Sequence, residues 1–145
     1  MRKHFVVTVA LLFLIPFVGA FHPQHNTAGD YDQEAVRKRL DGMIAASADG
    51  VLMLSFSRCP FCMKAKSILR SKGAAFKVVE LDTDVDGKGI RAEMANTIGR
   101  TSVPAIWIGG KFIGGCNDGP SDFNGLVKLD ETGKLNAMLG AVSAI

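Results

Sequence analysis

Residues 51–62 read Val51-Leu52-Met53-Leu54-Ser55-Phe56-Ser57-Arg58-Cys59-Pro60-Phe61-Cys62. Val51 to Phe56 is a short apolar run of the kind that suits a strand buried on both faces, and it stops at Ser57-Arg58. From Pro60 to Lys72 the period becomes helical, with Cys62, Ala65, Ile68 and Leu69 on one face and Lys64, Lys66, Arg70 and Lys72 on the other; Gly73 closes the segment. The cysteines therefore fall where a buried strand gives way to a helix start. With Cys59 at the N-cap, its sulfur faces unpaired backbone N–H groups and the positive end of the helix dipole, both of which favour thiolate over thiol. Pro60 at the first helical position costs no hydrogen bond and fixes φ. Cys62, one turn in and on the inner face, stays a thiol until Cys59 is attacked. The pair reads as nucleophile and resolving partner of a redox dithiol.

Other uses of a C-x-x-C fit less well. A structural zinc site needs four ligands, but there is no second C-x-x-C, and His4, His22 and His25 all lie far upstream, so no metal is expected. A purely structural disulfide closing so short a loop would remove little unfolded-state entropy.

Moving outward, Tyr31 to Ala48 places Ala35, Val36, Leu40, Met43, Ile44 and Ser47 at helical spacing, with Asp30 as the expected cap. Ala75 to Leu81 reads as a second strand. Asp82 to Gly89 reads as an acidic, glycine-rich turn before a helix carrying Ile90, Met94 and Ile98. Val103 to Ile108 and Lys111 to Ile113 flank Gly109-Gly110, so they are expected to pair antiparallel through a tight turn. A helix around Leu126 to Leu129 and a last one after Thr132, with Leu135, Met138 and Leu139 inward, complete the chain. Trp107 reads as core and Phe61 as an exposed rim beside the cysteines. The predicted fold class is α/β, a four-stranded mixed sheet flanked by helices.

The length of 145 residues suits one domain. Seventeen basic against fourteen acidic residues, with no Lys/Arg cluster, argue against nucleic acid as a partner. Much of the 48% apolar content sits at the front. Arg2 and Lys3 precede an apolar run from Phe5 to Val18, which ends in Val18-Gly19-Ala20. That layout predicts a signal peptide over 1–20, cleaved after Ala20, since a spanning helix needs about 20 apolar residues. Its removal would lower the formal charge from +3 to +1 and leave no stable membrane insertion. Residues 21–30 read as a linker or transit segment ahead of a domain over 31–145.

Three motifs in order, Cys59-Pro60-Phe61-Cys62, Thr101-Ser102-Val103-Pro104 and Gly114-Gly115-Cys116-Asn117-Asp118, match the patterns C-P-[YF]-C, T-V-P and G-G-x-[DS]-D. On them, the chain resembles a dithiol glutaredoxin, a glutathione-dependent member of the thioredoxin superfamily. The resemblance covers about residues 31 to 140 and implies a thioredoxin-like fold, with Cys59 and Cys62 as the catalytic pair and redox-active disulfide. It implies glutathione as co-substrate and glutathionylated or disulfide-containing proteins as partners, in a monomer. Pro104 would be a cis-proline presenting the Val103 backbone edge to glutathione, with Ser102 and Gly115 beside it. Asn117 and Asp118, at a helix start, would hold the γ-glutamyl amine and carboxylate. Arg91 would pair with the glycine carboxylate.

The sequence departs from the family at two places. A lysine usual three residues before the nucleophile is Phe56 here, and Arg58 is the nearby charge that would stand in for it. Gly119 to Gly125 looks like an insertion beside the glutathione site. Cys116 reads either as a third redox centre or as a small side chain in that loop. Two other functions stay open at this stage: a glutathione-ligated [2Fe–2S] carrier using Cys59, and a dithiol oxidase of the secretory lumen. The junction Gly19-Ala20-Phe21-His22-Pro23 resembles the Ala-Phe site of bipartite presequences in algae with complex plastids. It implies delivery to the plastid stroma, against the plainer expectation of the ER lumen or secretion.

Overall fold

β1 (Val51–Ser55) is buried along its whole length, as an apolar run with no alternation requires, and it forms the sheet centre. The structure, a computed structural model, describes residues 29–145. The expected signal peptide and the Phe21 junction lie outside the described residues.

The element order is α1 (Gln33–Ala45), β1, α2 (Pro60–Ser71), β2 (Lys77–Glu80), α3 (Gly87–Ile98), β3 (Ala105–Ile108), β4 (Lys111–Gly114), α4 (Leu126–Glu131) and α5 (Lys134–Ala141). The strands run in the order β2-β1-β3-β4. β1 pairs parallel to β2 and antiparallel to β3, and β3 turns through Gly109-Gly110 into antiparallel β4. The mixed sheet and its tight hairpin are those the apolar runs predict.

Alternation along the strands divides the core into two layers. Val51, Met53, Ile106, Ile108 and Ile113 face α2, α4 and α5, meeting Cys62, Leu69, Leu126, Leu135 and Leu139. Leu52, Leu54, Ala105 and Trp107 face α1 and α3, meeting Val36, Leu40, Ile90 and Met94. Trp107 is core, as expected, and its ring packs on Phe112 with centroids 5.1 Å apart.

Three local expectations are corrected. The cap of α1 is Asp32, whose Oδ1 accepts the Ala35 N–H at 3.0 Å, rather than Asp30, because the helix starts at Gln33. Gly87 and Gly89 belong to α3, not to the turn before it. A Cβ on Gly87 would lie 1.9 Å from the Leu81 carbonyl oxygen, and one on Gly89 2.9 Å from the Tyr31 ring. Close packing therefore outweighs the poor helix propensity of glycine. Lys66 lies in the protein rather than on a solvated face, because its ammonium pairs with Glu80 of β2.

Among the described residues no helix is long and apolar enough to cross a membrane.

Candidate active site

The turn between β1 and α2 is held at two points. The Cys59 N–H donates to the Phe56 carbonyl at 3.3 Å. The Ser57 N–H donates to both carboxylate oxygens of Asp82 at 3.0 Å, and the Ser57 hydroxyl donates to the same group. These bonds hold the Asp82 carboxyl below the usual carboxylate range. Cys59 then takes the N-cap of α2 with extended backbone, followed by Pro60. Its Sγ accepts the Cys62 N–H at 3.3 Å, so one free donor of the first turn points at the sulfur. The Cys59 thiol is half-buried and lies 3.9 Å from the Val103 carbonyl oxygen, to which it donates.

Cys62 has the opposite environment. It is fully buried in the sheet–α2 layer. Burial, reinforced by the Cys59 sulfur beside it, pushes its thiol up to about 11. All three cysteines are unbridged. Cys116 lies in the same core layer, and burial raises its thiol too, which fits a small core side chain rather than a third redox centre.

Across from the cysteines, the Val103–Pro104 peptide is cis. A groove of about 250 Å³ runs beside it, lined by Phe61, Arg100, Ser102, Val103, Pro104 and Asn117 among others. Phe61 is 55% exposed and forms its rim. Gly114 adopts φ 110° and packs against the returning loop, where a Cβ would meet the Asp118 carbonyl oxygen at 2.4 Å. Cys116 also lines the groove, and a Cβ on Gly115 would lie 3.0 Å from both the Pro104 carbonyl oxygen and Asp118 Oδ1. Ser102, Val103, Pro104, Gly115, Asn117 and Asp118, all read from motifs, thus converge on one edge of the site.

Asn117 and Asp118 do not stand at a helix start, however. They lie in a loop, and α4 begins only at Leu126, because residues 119–125 intervene. The first N–H groups of α4 are already used: Leu126 donates to the Gly115 carbonyl at 3.0 Å and Val127 to the Cys116 carbonyl at 2.8 Å. The Asn117 side chain instead meets Lys64 Nζ at 3.4 Å, and Asp118 pairs with Arg100 Nη1 at 3.0 Å.

Arg91 lies outside the groove lining; its Nε donates to the Thr101 carbonyl at 2.8 Å and its guanidinium sits over the Phe56 ring. Arg58 is exposed on the turn, away from that contact. Sequence reading missed Arg100. A lone arginine after Gly99 carries no periodic or motif signal, and only the fold brings it against Ser102 and Asp118.

The family model for glutaredoxin matches residues 51–113. Glutaredoxin-C2 of Arabidopsis thaliana is 39% identical over 99 residues, which span 68% of this chain and 83% of that protein. Among solved structures, wheat glutaredoxin superposes with a TM-score of 0.68 at 34% identity, covering 78% of this chain and all of that one. The buckwheat glutaredoxin–glutathione complex gives 0.69 at 28% identity, covering 78% and 94%. With its dithiol at the helix start and a cis-proline facing it, the chain belongs to the glutaredoxin family of thiol-disulfide oxidoreductases.

Proposed function

We propose that the protein reduces protein–glutathione mixed disulfides, and protein disulfides, at the expense of glutathione. The observation that carries this reading is the pairing of Cys59 Sγ with the Cys62 N–H, 3.9 Å from the carbonyl of groove-lining Val103, while Cys62 itself stays buried as a thiol. A sulfur facing a donor is ready to attack, since the donor stabilises it when charged. In the monothiol route Cys59 attacks the glutathione sulfur of the mixed disulfide, a Cys59–glutathione bond forms, and the protein thiolate leaves and takes a proton. A second glutathione thiolate then attacks that bond, releasing oxidised glutathione and regenerating Cys59. Cys62 is needed only for protein disulfides, where it displaces the reduced substrate from Cys59 and leaves a Cys59–Cys62 disulfide for glutathione to reduce.

In this reading the bound glutathionyl group lies along the 250 Å³ groove. Its cysteine backbone meets the Val103 edge at the cis-proline. Arg91 takes the glycine carboxylate, and the Asn117–Asp118 loop takes the γ-glutamyl end. A glutathione-coupled thioltransferase assay on residues 21–145 tests it; no glutathione-dependent turnover contradicts it. The address proposed for residues 1–30, a signal peptide over 1–20 followed by a transit segment for plastid delivery, rests on sequence alone. It is tested by fusing residues 1–30 to a fluorescent reporter, for which an ER or secreted signal contradicts the plastid step.

A further inference from the structure

Arg100 occupies a position that the glutaredoxin patterns do not assign. Its Nε and Nη2 donate to Ser102 Oγ at 3.0 and 2.7 Å, and its Nη1 pairs with Asp118 Oδ2 at 3.0 Å. The guanidinium also sits over the Phe112 ring at 5.9 Å, and its side chain is only 18% exposed. It lines both the groove beside Cys59 and an adjoining cleft of about 700 Å³ walled by Ile98, Gly119 and Pro120. Thus a largely buried cation, held by a hydroxyl and a ring, stands in the wall shared by the groove and the cleft.

Two further observations bear on what it does there. The start of α4 offers no free N–H from Leu126 or Val127, because both are bonded to the Gly115 and Cys116 carbonyls. Residues 119–125 also separate Asp118 from α4, so the Asp118 loop rather than the helix start meets Arg100. The γ-glutamyl end of glutathione is an α-amino acid zwitterion with one carboxylate and one ammonium on the same carbon. Arg100 and Asp118 are a cation and an anion side by side, the complement of that zwitterion. Asp118 is 71% exposed, so its contact with Arg100 is weak and exchanges at little cost. A fixed guanidinium fork is well suited to a carboxylate.

Resting on the glutathione reading above, we infer that Arg100 binds the γ-glutamyl α-carboxylate while Asp118 turns to the ammonium, replacing the α4 start as the recognition element. Arg100 is then a specificity residue for glutathione.

The test compares two mixed disulfides of one peptide, with glutathione and with 4-aminobutanoyl-cysteinylglycine, which lacks only the α-carboxylate. Wild type is expected to favour the glutathione form. Arg100→Gln should raise KM for it by about tenfold with kcat little changed, as for loss of a charged hydrogen bond. On the analogue Arg100→Gln should match wild type, and Arg100→Lys should fall between the two on glutathione. Equal losses on both substrates, or an unchanged KM on glutathione, would overturn the inference. So would a wild type indifferent to the carboxylate, an outcome that needs no variant to fold. Absence of wild-type turnover on every glutathione mixed disulfide would instead remove the glutathione reading, and this inference with it.

Discussion

The Arg91 guanidinium lies 5.4 Å from the centre of the Phe56 ring while its Nε is bonded to the Thr101 carbonyl. The residue standing in place of the family's lysine therefore serves as a platform for a different cation. An exposed cation–π contact contributes about 0.5–1 kcal/mol, equivalent to about two- to fivefold in affinity. Phe56→Leu should raise KM for a glutathione mixed disulfide by about that factor, and Phe56→Tyr should restore it. Steady-state kinetics on the three proteins checks this; an unchanged KM in Phe56→Leu would mean the ring does not position Arg91.

The contrast between half-exposed Cys59 and buried Cys62 predicts the order of alkylation. With its thiol near 11 and no exposed surface, Cys62 should resist iodoacetamide at pH 7 while Cys59 reacts. The same shift makes stability depend on pH. The folded thiol ionises above the ordinary value of about 9, so its contribution is intact below pH 9 and is lost as pH rises towards 11. Cys62→Ala should flatten the loss of stability over that window, measured by urea denaturation at pH 8 and 10.5.

Asp82 bonds both donor groups of Ser57, two residues before Cys59. Asp82→Ala should release the turn that delivers Cys59. The expected outcome is a fall in kcat/KM with an almost unchanged melting temperature, because the carboxylate is exposed. A matching loss of melting temperature would assign Asp82 to the fold instead.

Arg39 of α1 clasps the turn before α3, holding Asp84 at 2.6 and 2.7 Å and Asp86 at 2.8 Å. The pairing holds the Asp84 carboxyl below its ordinary 3.8, so the stabilisation is present above that pH and lost as pH falls below it. Arg39→Ala should cost on the order of 1 kcal/mol or less at pH 7, and the difference from wild type should shrink in acid unfolding as pH falls below 3.8.

The parts of this molecule that sequence reading recovers are those governed by local chemistry. The buried run of β1, the Cys59 cap with Pro60 after it, and the Gly109-Gly110 turn each state their structure within a few residues. The parts it misses depend on contacts between distant segments. Gly87 looks like a turn residue until the Leu81 carbonyl is placed against it, and Lys66 looks solvated until β2 brings Glu80. At the site, motif order locates Ser102, Val103, Pro104, Asn117 and Asp118 but not the loop that Asn117 and Asp118 occupy. The helix expected at Asn117 starts at Leu126, and Arg100 acquires meaning only when α3 ends beside that loop.

The central claim is that Cys59 is the nucleophile and Cys62 only resolves. Its most direct test is turnover of one glutathionylated protein by wild type, Cys59→Ser and Cys62→Ser under saturating glutathione. Cys62→Ser should retain deglutathionylation while losing reduction of a protein disulfide, and Cys59→Ser should lose both. Deglutathionylation that survives in Cys59→Ser, or vanishes in a folded Cys62→Ser, would contradict it.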